Sequence, residues 1–460
     1  MSTKKSNFNL SERKILLRLI DSFTLVFGLW LAYYYFSFSY ISFTSSSIFS
    51  WLLLLIFYFL IIGQIFQLYN LDVSNNRYKV FSAVVLTAFV TTIFYIFTPF
   101  LSPELPPNRL KIVYFFLIIS VPIILWRFTY IALIFSPNYF KSLIFIGESQ
   151  EIEKLIKKID NDSFHKVEAY ISDKEIEGVK GFVNFNEGKI ASVVPKTMTV
   201  DIVVSEKNLS KKQINAINKE LIYLFEKGVN ILSYESFYEE ITARVPKEYL
   251  AHNFYKYINF SKNNTNRFYL FGLRIFDIAV SILGILFLFV LSPLLLLCNL
   301  FSNRGPFFYT QNRVGENGEI FKIYKLRSMI KNAESGTAIW ASKNDVRITS
   351  FGKFLRKTRL DEFPQFINIL KGEMSLIGPR PERPEFVKDL EEQIPFYAIR
   401  HIIRPGLTGW AQVNYPYANT IEEQETKLRY DLYYIKERSA FLDFKILIKT
   451  VTTVLYFKGQ

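Results

Sequence analysis

Residues 278–301 read IAVSILGILFLFVLSPLLLLCNLF, an apolar run of 24 residues without a single charge. As a helix the run would be about 36 Å long, enough to cross the roughly 30 Å hydrocarbon core of a bilayer. The pair Ser292-Pro293 interrupts the run, and an interior proline removes a backbone hydrogen bond and kinks a helix. The run therefore predicts a membrane helix, either a plain span or a helix that bends back to the face it entered.

Four further apolar runs occupy the N-terminal part of the chain. They cover residues 15–36, 48–69, 80–101 and 112–135, and each is about long enough to span a bilayer. Basic residues precede the first run and the loop 37–47 has no charge, which places the N-terminus in the cytoplasm. We predict a four-helix transmembrane bundle over residues 1–136. We expect Arg18, Asp21 and Arg127 to face other helices or an interface rather than lipid.

The charge that follows the fifth run bears on its topology. Residues 343–359 contain six lysines and arginines and one aspartate. Each basic residue near an anionic cytoplasmic leaflet contributes about 1 kcal/mol, and a fifth crossing would place all of them outside the cell. The charges and the proline together favour a re-entrant helix over residues 271–303 and leave a plain span open.

The composition narrows the kind of metal site. The 460 residues carry a formal charge of +14 and half of them are apolar, but the single cysteine, Cys298, lies inside an apolar run. The three histidines, at positions 165, 252 and 401, are far apart in sequence. A zinc site or a disulfide is therefore not expected, and any metal should be a hard ion held by oxygen ligands, such as Mg²⁺.

Residues 141–250 have the pattern of a parallel α/β domain. Short β-rich runs at 142–146 and 200–204 alternate with charged helical stretches such as 150–159. Only Gly147 is present where a dinucleotide-binding fold carries three glycines, which favours a Rossmann-like domain without a redox cofactor. We assign this domain to residues 137–255, a linker to 256–270 and a C-terminal α/β-type domain to 304–460.

Two adjacent carboxylates stand out in the C-terminal domain, within the stretch KTRLDEFPQFINILKGEMSLIGPRPERPE at residues 357–385. Pro364 suits the first turn of a helix and Gly372 its end, which places Asp361 and Glu362 at a helix N-terminus. For an isolated pair the ordinary explanation is a helix cap. The surrounding cations favour instead a site where two carboxylates share a Mg²⁺ that a phosphate oxygen completes.

Several basic residues are candidates for binding an anion. Prolines on both sides of Arg380 restrict the backbone, which reduces the entropy lost when its guanidinium grips an oxyanion. Lys325 and Arg327 lie on the same side of a strand predicted at 321–329, and Arg404 opens a turn-rich segment. Taken alone, each of these four could equally be an ordinary surface or structural residue.

Together these segments resemble the bacterial polyprenyl phosphate hexose-1-phosphate transferases, the monotopic phosphoglycosyl transferases. The resemblance covers about residues 268–460 in four segments kept in order, TQNRVGENGEIFKIYKLRSM, DVRITSFGKFLRKTRLDEFPQFINILKGEMSLIGPRP, IRHIIRPGLTGWAQVNYPY and KLRYDLYYIKERSAFLDFKILIKT. The whole chain is similar to the large subgroup that initiates exopolysaccharide or capsule repeat units. In that family a broken helix with a Ser-Pro pair re-enters the membrane, which matches Ser292-Pro293.

The resemblance implies a reaction and a location. A hexose 1-phosphate would pass from a UDP-sugar to a polyprenyl phosphate such as undecaprenyl phosphate, with release of UMP. The catalytic domain would lie on the cytoplasmic face of the bacterial inner membrane. The expected partners are the two substrates, the lipid bilayer and a second copy of the chain in a homodimer, with no nucleic acid.

The resemblance also assigns roles to particular residues. Asp361 would be the nucleophile, Mg²⁺ would be held at Asp361 and Glu362, and Arg356 and Arg380 would contact phosphate and uridine. Further substrate-binding positions of the motifs match Lys325, Arg327 and Arg404. The sequence departs from the usual pattern at Arg359, where a serine is common, and at Glu373, where an aspartate is usual.

Two other functions stay open on the sequence. A non-catalytic, nucleotide-sensing membrane scaffold of polysaccharide assembly should have lost the carboxylate pair or the Gly-Pro-Arg-Pro segment, and both are intact. A nucleotide-sugar dehydratase should show the full glycine fingerprint, which is absent. No residue decides among glucose, galactose and N-acetylated hexoses as the sugar.

Overall fold

The computed structural model describes residues 10–69, 77–98, 100–106, 108–134, 141–159, 165–185, 190, 200–250, 260–331, 333, 345–415 and 418–455. The chain divides into two compact units, Met1–Phe237 and Tyr238–Gln460. Residues 343 and 344 of the basic segment and 256–259 of the predicted linker lie outside the described ranges.

Four long helices open the first unit. They are α1 (Leu10–Phe36), α2 (Ile48–Ile65), α3 (Arg77–Ile96) and α4 (Leu110–Thr129), the last extended by a π-helical turn at Tyr130–Ile134. By length and composition each can cross a membrane. They share a core that includes Leu25, Phe59, Val84 and Phe115. Phenylalanines and leucines on their other faces are exposed, as lipid contact requires.

Charged residues inside these helices are buried against each other. Arg127 on α4 donates Nε and Nη2 to the Asp21 carboxylate on α1, at 3.0 and 2.6 Å. Arg18 donates to Gln64 Oε1 at 2.7 Å, and both arginines lie over the ring of Tyr69. The expectation that these charges face other helices is confirmed, and the reason is that a charge in hydrocarbon needs a polar partner.

A five-stranded parallel sheet follows in the same unit. Its strands are β1 (Lys141–Ile146), β2 (His165–Ser172), β3 (Phe182–Asn184), β4 (Val200–Val204) and β5 (Asn230–Ser233), in the order β3-β2-β1-β4-β5. The connecting segments include α5 (Ser149–Ile159) and α6 (Lys211–Glu226), and α7 (Tyr234–Thr242) follows β5. The central strands are buried on both faces, which is why they read as continuous apolar runs. The predicted parallel α/β domain is confirmed.

The second unit holds the fifth apolar run in one helix, α8 (Arg267–Ser302), which stays helical through Ser292 and Pro293. Pro293 has no N–H for the carbonyl of Phe289, one turn earlier in the helix. The Ser292 hydroxyl donates to that carbonyl instead, at 2.8 Å. The serine thus replaces the hydrogen bond that the proline removes, and the residues before and after the pair are helical.

The rest of the second unit is mostly helical. Its helices are α9 (Ser350–Thr358), α10 (Gln365–Lys371), α11 (Pro384–Gln393), α12 (Trp410–Asn414), α13 (Ile421–Glu437) and α14 (Ala440–Leu455). The strands described here form two pairs, antiparallel β6 (Phe308–Val314) with β7 (Ile320–Leu326) and parallel β8 (Ser375–Ile377) with β9 (Gly406–Thr408). The predicted class, a membrane protein with helical and α/β parts, is confirmed, and the strand predicted at 321–329 ends at Leu326.

A short segment before α8, residues 238–250, packs within the second unit. Arg429 on α13 donates to the Val245 carbonyl at 2.7 Å and to the Tyr238 hydroxyl at 2.6 Å. The Trp410 indole donates to the Ala243 carbonyl at 2.8 Å, and Tyr249 is buried in the same core. The division between the units therefore lies earlier in the chain than residue 255, the predicted end of the Rossmann-like domain.

Candidate active site

The carboxylate pair lies in a tight connection between two helices. Helix α9 ends at Thr358, and Arg359, which follows it, has a left-handed backbone with a φ of 61°. A single 3-10 turn, Leu360–Glu362, then carries both carboxylates, and Pro364 leads into α10. Gly372 ends α10 with a φ of 88°. The predicted helix from Pro364 to Gly372 is confirmed, with the carboxylates just before its first turn.

The two carboxylates have different surroundings, although both are buried. Glu362 Oε1 accepts from Arg380 Nη2 at 2.7 Å and lies 3.3 Å from Lys325 Nζ, and its Oε2 lies 3.8 Å from Arg359 Nη1. Among the described residues, no hydrogen bond or ion pair holds the Asp361 carboxylate. Glu362 is therefore fixed by three cations, whereas Asp361 keeps its oxygens free to react.

The electrostatics of the pair follow from this arrangement. Burial and the neighbouring Glu362 charge raise the pKa of the Asp361 carboxyl. Burial acts in the same direction on Glu362, but Arg380, Lys325 and Arg359 outweigh it and hold the pKa of that carboxyl well below its usual range. A cationic ligand at the pair would favour the charged form of Asp361 that attack requires.

Arg356 on α9 is the fourth cation near the pair. Its Nε donates to the Ser328 hydroxyl at 2.9 Å, which leaves the remaining guanidinium donors for another group. Burial lowers the pKa of Arg356, and the charge of Asp361 opposes that shift. The structure thus brings Lys325, Arg356 and Arg380 to the carboxylate pair.

The side chains of Arg327 and Arg404 have other partners. Arg327 donates to the carbonyls of Asn303, Pro306 and Met329, which ties the end of α8 to the strand β7. Arg404 Nε lies 3.1 Å from Glu316 Oε2, and its side chain is part-exposed. The contacts of these two arginines do not bring them to the carboxylates, so their substrate-binding roles stay predictions.

The carboxylate pair offers two acidic side chains as oxygen ligands to a metal ion. No group of three acidic or histidine side chains that could hold a metal occurs in the described part of the chain. Mg²⁺ is commonly bound by one or two carboxylates together with waters and substrate phosphates, rather than by a complete protein cage. Asp361 and Glu362 therefore fit a magnesium ion that the substrate's phosphates would help to hold.

Two residues of α8 that the sequence analysis did not identify bind the backbone of elements next to the site. Arg274 donates to the carbonyls of Ile369 and Leu370, at 2.5 and 2.7 Å, and so caps the end of α10. Asp277 accepts from the Leu376 N–H of β8 at 2.9 Å. The carboxylate pair precedes α10 and Arg380 follows β8, so both parts of the site rest on α8. Arg274 and Asp277 could have been identified in the sequence as two charges spaced i, i+3 near the start of an otherwise apolar helix.

The activity of the free enzyme is expected to fall above about pH 8. Burial lowers the pKa of Lys325 to about 8, against 10.5 ordinarily. Below that pH the ammonium is charged and supports Glu362, and it becomes neutral as the pH rises. In a profile of kcat/KM, Lys325→Arg should move the alkaline limb to higher pH because a guanidinium stays charged. An unmoved limb would assign the titration to another group.

Comparisons with known proteins agree on one family. Residues 268–457 match the family described as bacterial sugar transferase. The UDP-N-acetylgalactosamine-undecaprenyl-phosphate N-acetylgalactosaminephosphotransferase of Aeromonas hydrophila is 42% identical over 220 residues, which are 47% of this chain and 50% of that protein. The UDP-glucose:undecaprenyl-phosphate glucose-1-phosphate transferase of Klebsiella pneumoniae is 41% identical over 191 residues, 40% of this chain and 39% of that protein.

A shorter relative is covered over most of its length. This Bacillus subtilis protein, provisionally assigned as an undecaprenyl-phosphate N-acetylgalactosaminyl 1-phosphate transferase, is 45% identical over 127 residues, which are 28% of this chain and 71% of that protein. The chain spans half or less of the two longer relatives described above. All three similarities fall on proteins named for sugar phosphate transfer to undecaprenyl phosphate.

Proposed function

Because the chain belongs to the family of bacterial sugar transferases, we propose that it transfers a sugar 1-phosphate from a UDP-sugar to a polyprenyl phosphate and releases UMP. The product would be a polyprenyl diphosphate sugar, the first lipid-linked unit of an exopolysaccharide or capsule repeat. The relatives differ in their named sugar, N-acetylgalactosamine in one and glucose in another, so the sugar of this chain is left open.

The observation that carries the proposal is the asymmetry of the two carboxylates. Glu362 is held by three cations, whereas no described residue binds the Asp361 carboxylate. A nucleophile needs a free oxygen, and a diphosphate needs cations around it before an anion can approach its phosphorus. Asp361 meets the first requirement, and the group of Lys325, Arg356 and Arg380 meets the second.

The reaction then takes two displacements at one phosphorus. An Asp361 carboxylate oxygen attacks the β-phosphorus of the UDP-sugar, and the bond from that phosphorus to the bridging oxygen breaks, so that UMP leaves. The phosphate of the polyprenyl carrier attacks the same phosphorus, and the bond to Asp361 breaks, which restores the carboxylate. Mg²⁺ bound at Asp361 and Glu362 would neutralise phosphate charge and bring the Asp361 carboxyl to its charged form.

Arg356 and Arg380 have defined tasks in these steps. Arg380 presents a planar guanidinium beside Glu362, which suits two-pronged contact with phosphate oxygens. Arg356 holds Ser328 through Nε and keeps its other donors for the same oxygens. The cations stay in place throughout, so the negative charge that shifts between attacking and leaving oxygens meets fixed positive groups.

A re-entrant α8 would bring the lipid substrate to this site. The helix contacts the rest of the second unit near its start, through Arg274 and Asp277, and at its end, where the Asn303 amide donates to the Arg327 carbonyl at 2.7 Å. A helix that spanned the bilayer could not hold one soluble unit at both ends. We include in the proposal a four-helix transmembrane bundle in the bacterial inner membrane, a Rossmann-like domain, a catalytic domain on the cytoplasmic face, and a homodimer.

The function is tested by incubating the purified chain with undecaprenyl phosphate, Mg²⁺ and each of four UDP-sugars: UDP-glucose, UDP-galactose and their N-acetylated forms. We expect UMP release and a lipid-linked sugar phosphate with at least one donor. Chelation of Mg²⁺ should stop the reaction. If the folded chain releases no UMP with any donor, the scaffold function becomes the better explanation.

The topology is tested by cysteine labelling in intact cells, with Cys298 replaced by serine. We expect Ser302→Cys and Ser261→Cys to be protected from an impermeant external reagent, since both ends of a re-entrant helix face the cytoplasm. Ser46→Cys, in the predicted external loop after α1, is the matched control and should be labelled. External labelling of Ser302→Cys would mean that α8 spans the bilayer.

A further inference from the structure

The loop that carries Arg380 is fixed by hydrogen bonds to its backbone carbonyls. We call residues 378–382 the arginine loop. The carbonyl of Pro379 accepts from the Gly406 N–H at 2.9 Å, and the carbonyl of Glu382 accepts from the Val314 N–H at 2.9 Å. Between them, guanidinium groups bind the carbonyls of Arg380 and Pro381. Four consecutive carbonyls thus each receive a donor, two of them from the neighbouring residues Arg313 and Val314 of β6.

Arg400 is the more deeply buried of the two guanidinium donors. Its Nη2 donates to the Arg380 carbonyl at 2.9 Å and lies 2.8 Å from Asp431 Oδ2, and its Nη1 donates to the Tyr397 hydroxyl at 2.6 Å. Arg400 and Asp431 are 2% and 1% exposed, so solvent does not compete for these contacts. A buried guanidinium held by a carbonyl, a carboxylate and a hydroxyl costs a great deal to move, so its position is fixed.

A second set of charges holds the far end of the arginine loop. Arg313 on β6 donates Nη1 to the Pro381 carbonyl at 3.1 Å, and the same atom lies 3.7 Å from Glu382 Oε2. Lys427 on α13 donates to the Glu382 carboxylate. These side chains are largely buried, and none of them contacts the carboxylate pair directly.

We propose that Arg400 and Arg313 are positioning residues, which fix the arginine loop so that the Arg380 guanidinium is aimed at the substrate diphosphate beside Glu362. The inference rests on the proposed function and adds to it a network that acts only through Arg380. A long side chain on a loosely held loop would lose entropy each time it bound a phosphate. Holding the backbone in advance removes most of that loss and strengthens donor binding.

The test is the effect of Arg400→Lys on binding of UDP, the part shared by all candidate donors. The lysine keeps the charge but cannot reach the carbonyl, the carboxylate and the hydroxyl together. We expect the Kd for UDP with Mg²⁺, from calorimetry on the full chain, to rise about tenfold, and the donor KM to rise similarly with a smaller change in kcat. Arg429→Lys is the matched control, because Arg429 also binds a carbonyl and a tyrosine hydroxyl in this unit.

A double-mutant cycle separates positioning from simple stabilisation. If Arg400 acts through Arg380, Arg400→Lys should weaken UDP binding little further once Arg380→Ala is present. Asp431→Asn, which keeps the shape of the partner, should give the same pattern more mildly. Additive losses, an unchanged Kd in folded Arg400→Lys, or failure of both Arg400→Lys and Asp431→Asn to fold would each overturn the inference.

The same experiment distinguishes failure of the inference from failure of the proposed function. If the wild-type chain binds no UDP in the presence of Mg²⁺, the proposed function itself is contradicted. Wild-type binding that Arg380→Ala weakens, but Arg400→Lys does not, would remove only the positioning role.

Discussion

Asp361→Asn is expected to abolish turnover, with a loss of at least about 1,000-fold in kcat, and to leave the thermal unfolding temperature close to that of the wild type. The amide has the shape of the carboxylate but cannot attack phosphorus at a useful rate. Its effect on stability should be small because no described residue pairs with the Asp361 carboxylate. UMP release and a melting curve on the same preparation measure both quantities.

The covalent step also predicts that the wild-type chain forms a sugar-phosphoryl intermediate in the absence of the lipid acceptor. Given UDP-sugar and Mg²⁺ without the lipid acceptor, it should release about one UMP per site and gain the mass of a sugar phosphate on the peptide that contains Asp361. Asp361→Asn should show neither. An adduct on another residue, or turnover by Asp361→Asn, would move the role to Glu362 or to direct attack by the lipid phosphate.

Glu362→Gln is expected to impair both turnover and stability. The change leaves Lys325, Arg359 and Arg380 gathered around a neutral amide, at a cost of about 1.5–3 kcal/mol in the free energy of unfolding. It also removes one of the two carboxylates available to Mg²⁺. Activity should therefore be severely reduced, and added Mg²⁺ should restore part of it if weakened metal binding is the main cause.

The pH dependence of this destabilisation has a definite sign. Because the cations hold the pKa of Glu362 below its usual 4.5, its contribution to stability is full above that value and is lost as the pH falls through the lowered pKa. The melting temperatures of wild type and Glu362→Gln should therefore converge in acid. A constant difference at all pH values would mean that lost packing, not lost charge, causes the effect.

Glu373→Gln serves as the matched control for this variant. Glu373 is a glutamate at the other end of α10, and its carboxylate accepts from the Asn368 amide at 2.7 Å. A glutamine oxygen can accept that same hydrogen bond, so we expect little change in stability or activity. A loss as large as that of Glu362→Gln would show that any charge change near α10 is harmful.

The local geometry of the carboxylate pair could be predicted because neighbouring residues determine it. Pro364 and Gly372 mark the start and end of α10 through backbone preferences that act over one or two residues. The membrane helices were predictable for a similar reason, since length and apolarity are properties of a continuous segment.

The partners of Lys325, Arg327 and Arg400 could not be predicted from local sequence, because most of them lie in distant parts of the chain. Alternation along a strand placed Lys325 and Arg327 on one side, but Lys325 reaches Glu362 while Arg327 binds carbonyls at the end of α8. The network around Arg400 was missed because its contacts with Arg380 and Asp431 join residues 20 or more positions apart, and no local pattern encodes them. Pro293 was expected to kink α8; the segment is helical on both sides of it, and the Ser292 hydroxyl donates to the carbonyl that Pro293 leaves without a donor.

The packing of residues 238–250 determines at which residue the second unit could be joined to a different N-terminal region. A gene fusion or engineered chimera that joins a new front end at residue 261 would discard the carbonyl and hydroxyl that Arg429 binds and the carbonyl that Trp410 binds. Those buried donors would then be left without acceptors. A chimera that keeps these contacts therefore has to include the second unit from about Tyr238 onward.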